Sequence, residues 1–207
     1  MAYTIHLVRH GEVENPKGVI YGRLPGYNLS ERGKRQAEAA ARHLAERAVG
    51  GIWASPLERA QETAQPIAEA HELEIVTDDR LIESASAFEG VGRTLWAIVK
   101  NPANWWRLRN PWKPSWGETF ADIQKRMLAA IEDALATVGD KELVVVSHQT
   151  PVIVARNALA RRRVPPWLGY ASCSTGSVTS LSLEDGKVLD ASYFVPPESS
   201  PSSYDSS

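Results

Sequence analysis

The sequence predicts an α/β domain built on a mainly parallel sheet, with antiparallel pairing at one end. Three observations predict it. Short β-prone runs alternate with longer stretches of helical spacing along most of the chain. The clearest of those runs, Leu143-Val144-Val145-Val146, is apolar without a break, as a strand covered on both faces must be. The last two runs instead alternate apolar and polar residues around an Asp-Gly turn, the signature of a hairpin.

Thr4 to Val8 is the first strand, ending abruptly in Arg9-His10-Gly11, so this polar triplet sits at a strand's carboxyl end. Tyr21 to Tyr27, punctuated by Gly and Pro, reads as a loop. Ser30 is an N-cap before a helix whose Ala37, Ala40, Ala41 and Leu44 recur at helical spacing. Ile52 to Ser55 is a second strand, and Pro56 at a first helical position opens a helix to about Ala70, with Arg59 in its first turn. Leu73 to Val76 is a third strand, followed by a short extended Leu81-Ile82-Glu83. Phe120, Ile123, Met127, Ile131 and Leu135 share one face of a helix over Thr119 to Val138. Glu142 to Ser147 is a buried strand ending at His148, and Val152 to Leu159 a helix. Gly176 to Leu183 and Val188 to Phe194 form the hairpin.

With 207 residues, 43% of them hydrophobic, the chain has material for one substantial core, and a single domain over 1–195 is expected. Its formal net charge of -2 excludes the overall basic surplus that holds proteins to nucleic acid or anionic lipid. Neither nucleic acid nor membrane is therefore an expected partner, and any anion must be held by local arginines. The lone Cys173 has no partner for a disulfide and cannot build a thiolate metal cluster. No basic n-region opens the chain and no run approaches the ~20 apolar residues of a membrane span, so a cytoplasmic protein is expected. The Pro-, Ser- and acid-rich 196–207 reads as a disordered tail.

Four blocks carry chemistry: Arg9-His10-Gly11, then Ser55-Pro56-Leu57-Glu58-Arg59-Ala60-Gln61-Glu62-Thr63-Ala64, then Leu81-Ile82-Glu83, and finally Val146-Ser147-His148. In this order they resemble the signature blocks of the histidine phosphatase superfamily, the phosphoglycerate mutase-like proteins, over roughly Ile5 to Leu159. The resemblance implies a three-layer α/β/α fold with a small cap insertion at about 84–117. It also implies a metal-independent phosphotransfer enzyme, without cofactor, acting on a small phosphorylated metabolite. His10 is then the nucleophile: a neutral imidazole attacks phosphorus and divides one hard displacement into two easier ones. Arg9, Arg59 and His148 supply donors to the equatorial oxygens, and a guanidinium fork suits phosphate better than an ammonium. Glu83 matches the family's general acid, which must hold a proton near neutral pH. Asn15 and Arg23 correspond to polar contacts of the loops over the phosphate, although Glu14-Asn15-Pro16-Lys17 departs from the usual spacing.

Bland readings stand beside these. Glu89 and Glu118 lie in neighbouring loops and compete with Glu83 for the acid's role. His6 alternates within the first strand as a satisfied group rather than a second catalyst, His43 and His71 read as surface residues, and Arg161-Arg162-Arg163 as cations favoured at a helix C-terminus. The segment from Trp96 to Trp116 holds five of the seven tryptophans; it reads as an aromatic, basic lid over a bulky leaving group, or else as a satellite core or the contact of a homodimer. Mutases of this family carry Arg, His and Tyr after the acidic residue, where this chain has Ser84-Ala85-Ser86-Ala87. Phosphomonoester hydrolysis is therefore favoured over mutase-type transfer. A non-catalytic phosphate-binding module is the remaining alternative, since a fold does not fix a function.

Overall fold

The computed structural model describes residues 2–86, 88–92, 117–162 and 172–197. These form β1 (Ala2–Arg9), α1 (Glu31–Leu44), β2 (Val49–Ala54), α2 (Glu58–His71), β3 (Ile75–Thr77), a 3-10 turn (Asp79–Leu81), α3 (Phe120–Val138), β4 (Glu142–Ser147), α4 (Gln149–Leu159), β5 (Val178–Glu184) and β6 (Lys187–Phe194). The strand order is β3-β2-β4-β1-β5-β6. The first four are parallel, and β5 and β6 add the antiparallel pairs.

Strand alternation divides the core into two faces. Ile5, Leu7, Leu143 and Val145 point to one side, where they meet Ile123, Met127 and Ile131 of α3 and Val152 of α4. Val8, Val144 and Val146 point to the other, against Ala40 and Leu44 of α1 and Ala60, Ala64 and Ile67 of α2. The small alanines let α1 and α2 approach each other and the sheet closely. The result is the expected three-layer α/β/α sandwich.

Several boundaries move for identifiable reasons. Helix α2 starts at Glu58 rather than Pro56, because its N-cap Leu57 is extended and the Ser55 hydroxyl is engaged elsewhere. The helix then tolerates Pro66 in its interior. Helix α4 begins at Gln149, three residues earlier than expected: Pro151 falls in the first turn, where a missing N–H costs nothing. Leu81 closes a 3-10 turn rather than an extended piece, since the Asp78 side chain accepts from Arg80 N–H and caps it. At the hairpin, Asp185 and Gly186 both adopt positive φ, 48° and 70°, as a two-residue turn of matching twist requires. His6 is a satisfied core group, bonded to Ser180 Oγ and to Glu142 at 2.8 and 2.7 Å. The insertion at about 84–117 and the 196–207 tail fall largely outside the described residues, as does Arg163. The insertion's ends meet through a Ser86–Gly117 bridge, and Gly92 pairs with Val19. No helix among the described residues is long and apolar enough to cross a membrane.

The sheet places the polar triplet. β1 and β4 lie side by side with Arg9 opposite Ser147, yet α1 covers one face and α4 the other. Connections that leave adjacent strands in opposite directions open a crevice at their carboxyl ends. His10 and His148 are the first residues beyond those ends.

The loop after His10 is fixed by close packing against the start of α1. A Cβ on Gly33 would lie 2.0 Å from the Glu12 carbonyl oxygen, and one on Gly11 would lie 2.5 Å from the Gly33 oxygen. Gly33→Ala is expected to cost about 1–3 kcal/mol by forcing these backbones apart. A lower urea midpoint at unchanged slope is the readout. A variant as stable as the wild type would show that this packing is not a constraint.

Candidate active site

His10 is 1% exposed, its backbone N–H donates to Ser147 O at 3.0 Å, and its carbonyl accepts from Gly176 N–H at 3.1 Å. Its Nδ1 lies 2.7 Å from Gly11 O. A carbonyl only accepts, so Nδ1 carries the proton and Nε2 presents its lone pair. Burial, with help from Arg59 and Arg9, holds the imidazole pKa well below its usual value, so the ring is neutral.

Arg59 is fully buried. Its Nη2 donates to Gly22 O at 2.6 Å, and its guanidinium carbon sits 4.8 Å from the centre of the Tyr21 ring, a cation–π contact. Nε and Nη1 have no partner. Arg9 donates from Nη1 to Cys173 O, while its Nε is also unpartnered. Neither guanidinium has an ion-pair partner among the described residues. Buried guanidinium N–H groups left without a hydrogen-bond partner are costly, and they are groups that an anion can satisfy.

The ring of His148, fully buried, stands 5.1 Å from that of His10 at 61°. Its Nε2 bonds Ser55 Oγ at 2.7 Å and its Nδ1 is unpartnered. Its pKa is also pushed well below the usual value, chiefly by burial and then by His10 and the arginines.

Glu83 lies two residues beyond the 3-10 turn, after the extended Ile82. Burial raises its pKa, against the opposing pull of Ser84 N–H, Arg59 and Arg9. One carboxylate oxygen accepts from Ser84 N–H at 2.7 Å. The segment is braced from below: Ser147 Oγ donates to Leu81 O, Arg126 Nη1 to Arg80 O and Arg23 Nε to Glu83 O, at 2.6, 2.6 and 2.7 Å. The two other acids of these loops are hydrogen-bonded to arginines. Glu118 takes both Nε and Nη2 of Arg126 and Nη2 of Arg23, and Glu89 accepts from Arg23 N–H.

The structure thus brings His10, His148, Arg9, Arg59 and Glu83 into one electrostatic unit. Arg23 braces it through Nε and Nη2, and its Nη1 has no hydrogen-bond partner among the described residues. The Asn15 oxygen and nitrogen both bond the Val19 backbone, closing its own loop. Four participants carry no role in the sequence reading. Ser55 bonds His148, Ser147 anchors Leu81, and Tyr21 covers Arg59. Thr63 accepts from Gly11 N–H at 3.0 Å while donating to Arg59 O at 2.7 Å. Ser55 and Thr63 stand inside the second block, at a strand end and one helical turn after Arg59, which was the available signal. Tyr21 had none beyond its place in a turn. Among the described residues no group of His, Cys, Asp or Glu is arranged to hold a metal ion.

A family model described as histidine phosphatase superfamily (branch 1) matches residues 5–192. The chain belongs to this superfamily. It is 32% identical over 190 residues to phosphoserine phosphatase 1 of Hydrogenobacter thermophilus, with 86% of each chain covered. To the 2,3-bisphosphoglycerate-dependent phosphoglycerate mutase of Thermoplasma acidophilum it is 44% identical over 191 residues, covering 88% of each. Among solved structures it resembles a mycobacterial glucosyl-3-phosphoglycerate phosphatase at 27% identity and TM-score 0.73, covering 94% of this chain and 98% of that one. As a histidine phosphatase superfamily member with these relatives, the chain is a phosphatase or mutase-like enzyme.

Proposed function

We propose that this superfamily member is a metal-independent phosphomonoester hydrolase that works through a phosphohistidine on Nε2 of His10. One observation carries the reading. Arg9 Nε, Arg59 Nε and Nη1, and His148 Nδ1 are buried polar nitrogens without partners, gathered around a neutral imidazole whose proton is tied back to Gly11. That is what a transferring phosphoryl group needs, since its charge spreads over three equatorial oxygens.

In the first step the Nε2 lone pair attacks phosphorus, the P–O ester bond breaks, and the Glu83 carboxyl gives its proton to the departing oxygen. In the second, water attacks phosphorus, Glu83 takes the water's proton, and the N–P electrons return to His10. The arginines stabilise the phosphoryl charge in both. Arg23 Nη1 is the nitrogen available to the rest of the substrate, a small phosphorylated metabolite; Asn15 acts through the shape of its loop. Hydrolysis is preferred to transfer because Ser84-Ala85-Ser86 replaces the Arg, His and Tyr that hold a second phosphate in mutases. The archaeal mutase relative keeps transfer as the second reading. Phosphate release from 3-phosphoglycerate and phosphoserine, against 3- to 2-phosphoglycerate interconversion primed with 2,3-bisphosphoglycerate, separates them. Interconversion faster than release would overturn the hydrolase. A cytoplasmic setting suits such a substrate.

The pH profile follows from the two shifts. Turnover needs His10 neutral and Glu83 protonated. The His10 pKa lies well below 6.5, so its limb is confined to acidic pH; Glu83's lies above 4.5, and kcat/KM falls as pH rises through it. Glu83→Gln keeps a neutral side chain but has no proton to give. With alkyl phosphates it is expected to lose about 10²–10⁴-fold in kcat and to flatten the alkaline limb. The loss is smaller with p-nitrophenyl phosphate, whose leaving group needs no proton. An alkaline limb unchanged in the variant would remove Glu83 from the reaction.

A further inference from the structure

Resting on the phosphotransfer reading, we propose that Ser55 is the positioning residue that fixes the tautomer of His148, so that a Nδ1–H, and not a lone pair, faces the transferring phosphoryl group. The argument is an accounting of protons. Ser55 is fully buried, and its Oγ has two contacts: the Leu57 N–H, at 3.4 Å, which can only donate to it, and His148 Nε2 at 2.7 Å. The hydroxyl proton therefore has one acceptor, the His148 Nε2 lone pair. Were Nε2 protonated instead, the Ser55 proton would be stranded on a fully buried oxygen with no acceptor among the described residues, a full desolvation penalty. With Nε2 accepting, the single proton of a neutral imidazole resides on Nδ1.

That is the nitrogen without a partner, in the ring that stands 5.1 Å from His10. The alternative tautomer would aim a lone pair at phosphoryl oxygens and repel them. The two histidines are thus given the same tautomer for opposite ends. In His10 the Nδ1–H is consumed by the Gly11 carbonyl and Nε2 attacks; in His148 Nε2 is consumed by Ser55 and Nδ1–H donates. The strand end sets both. Ser55 N–H is pinned to Val146 O at 3.0 Å, two residues before His148, so hydroxyl and imidazole share one rigid frame.

The test is two-bond ¹⁵N–¹H correlation NMR of the full chain labelled at histidine nitrogen, with the His148 signals identified as those lost in His148→Gln. Wild type is expected to show His148 protonated at Nδ1. Ser55→Ala should convert it wholly or partly to the Nε2–H form, leave His10 unchanged, and lower kcat by about 10- to 100-fold, the worth of one hydrogen bond to a charged group. Ser55→Thr, which keeps an O–H there, should restore the Nδ1–H form and recover turnover relative to Ser55→Ala. An Nε2–H signal in active wild type would overturn the inference and leave the hydrolase standing. A Ser55→Ala protein with unchanged tautomer and kcat would do the same. A wild type inert toward every phosphomonoester, with the tautomer switching as described, would sink the hydrolase and support the assignment of Ser55.

Discussion

His10→Ala is expected to lower kcat on a phosphomonoester by about 10⁴-fold or more, with the variant still folded. The loss is this large because the substitution removes the reaction's route and not one contact within it: without a nucleophile on the enzyme, water must displace the ester directly. The remaining donors keep their places, since Arg9 is held by Cys173 O, Arg59 by Gly22 O and Tyr21, and His148 by Ser55. Phosphate should therefore still bind. Released phosphate measured under saturation, beside a phosphate-induced rise in melting temperature, checks both halves. A kcat within tenfold of wild type would remove His10 from the chemistry.

Arg59→Met should separate activity from stability. It is expected to lower kcat/KM by about 10²–10³-fold, the usual consequence of removing one preorganised donor to developing charge. The unliganded protein, however, should melt no lower than wild type. Arg59 is a fully buried charge with two unmet nitrogens and, among the described residues, no carboxylate in a direct ion pair with it, and burial pulls its pKa down against the weaker pull of Tyr21 and of Glu83, Glu58 and Glu89. An unbranched apolar side chain of similar length removes that desolvation cost, though it leaves Gly22 O without its donor. Stabilisation by phosphate should disappear with it, because the ligand completes what the arginine leaves open. Scanning calorimetry with and without phosphate reads this directly. A variant several degrees less stable than wild type when unliganded would mean that Arg59 is primarily structural.

Much of the fold was legible because period-two and period-3.6 patterns are local properties. Leu143 to Val146 announces a strand covered on both faces, and Asp185-Gly186 announces its turn. What failed was also local. Pro56 and Pro151 each carry two meanings, helix opener and helix breaker, and only the tertiary engagement of Ser55 and the orphan donors of α4's first turn decide between them. In the site, the residues proposed to react were readable because few chemistries use Arg, His and Glu in that order. Those that hold them were not. Ser55, Thr63 and Tyr21 act through contacts across 93, 52 and 38 residues, and beyond the place of Ser55 and Thr63 in the second block no local pattern distinguishes such a hydroxyl or ring from an ordinary one. Asn15 shows the converse, a polar residue in the right loop whose bonds close the loop itself.

The decisive measurement is a rapid-quench experiment in EDTA without acid exposure, following phosphoryl transfer from substrate to intact protein and mapping the modified peptide. Wild type should show a transient, acid-labile phosphoryl adduct on the peptide bearing His10, formed at least as fast as turnover and absent from His10→Ala. Turnover that is abolished by EDTA, or that survives His10→Ala without any adduct, would contradict the phosphohistidine route.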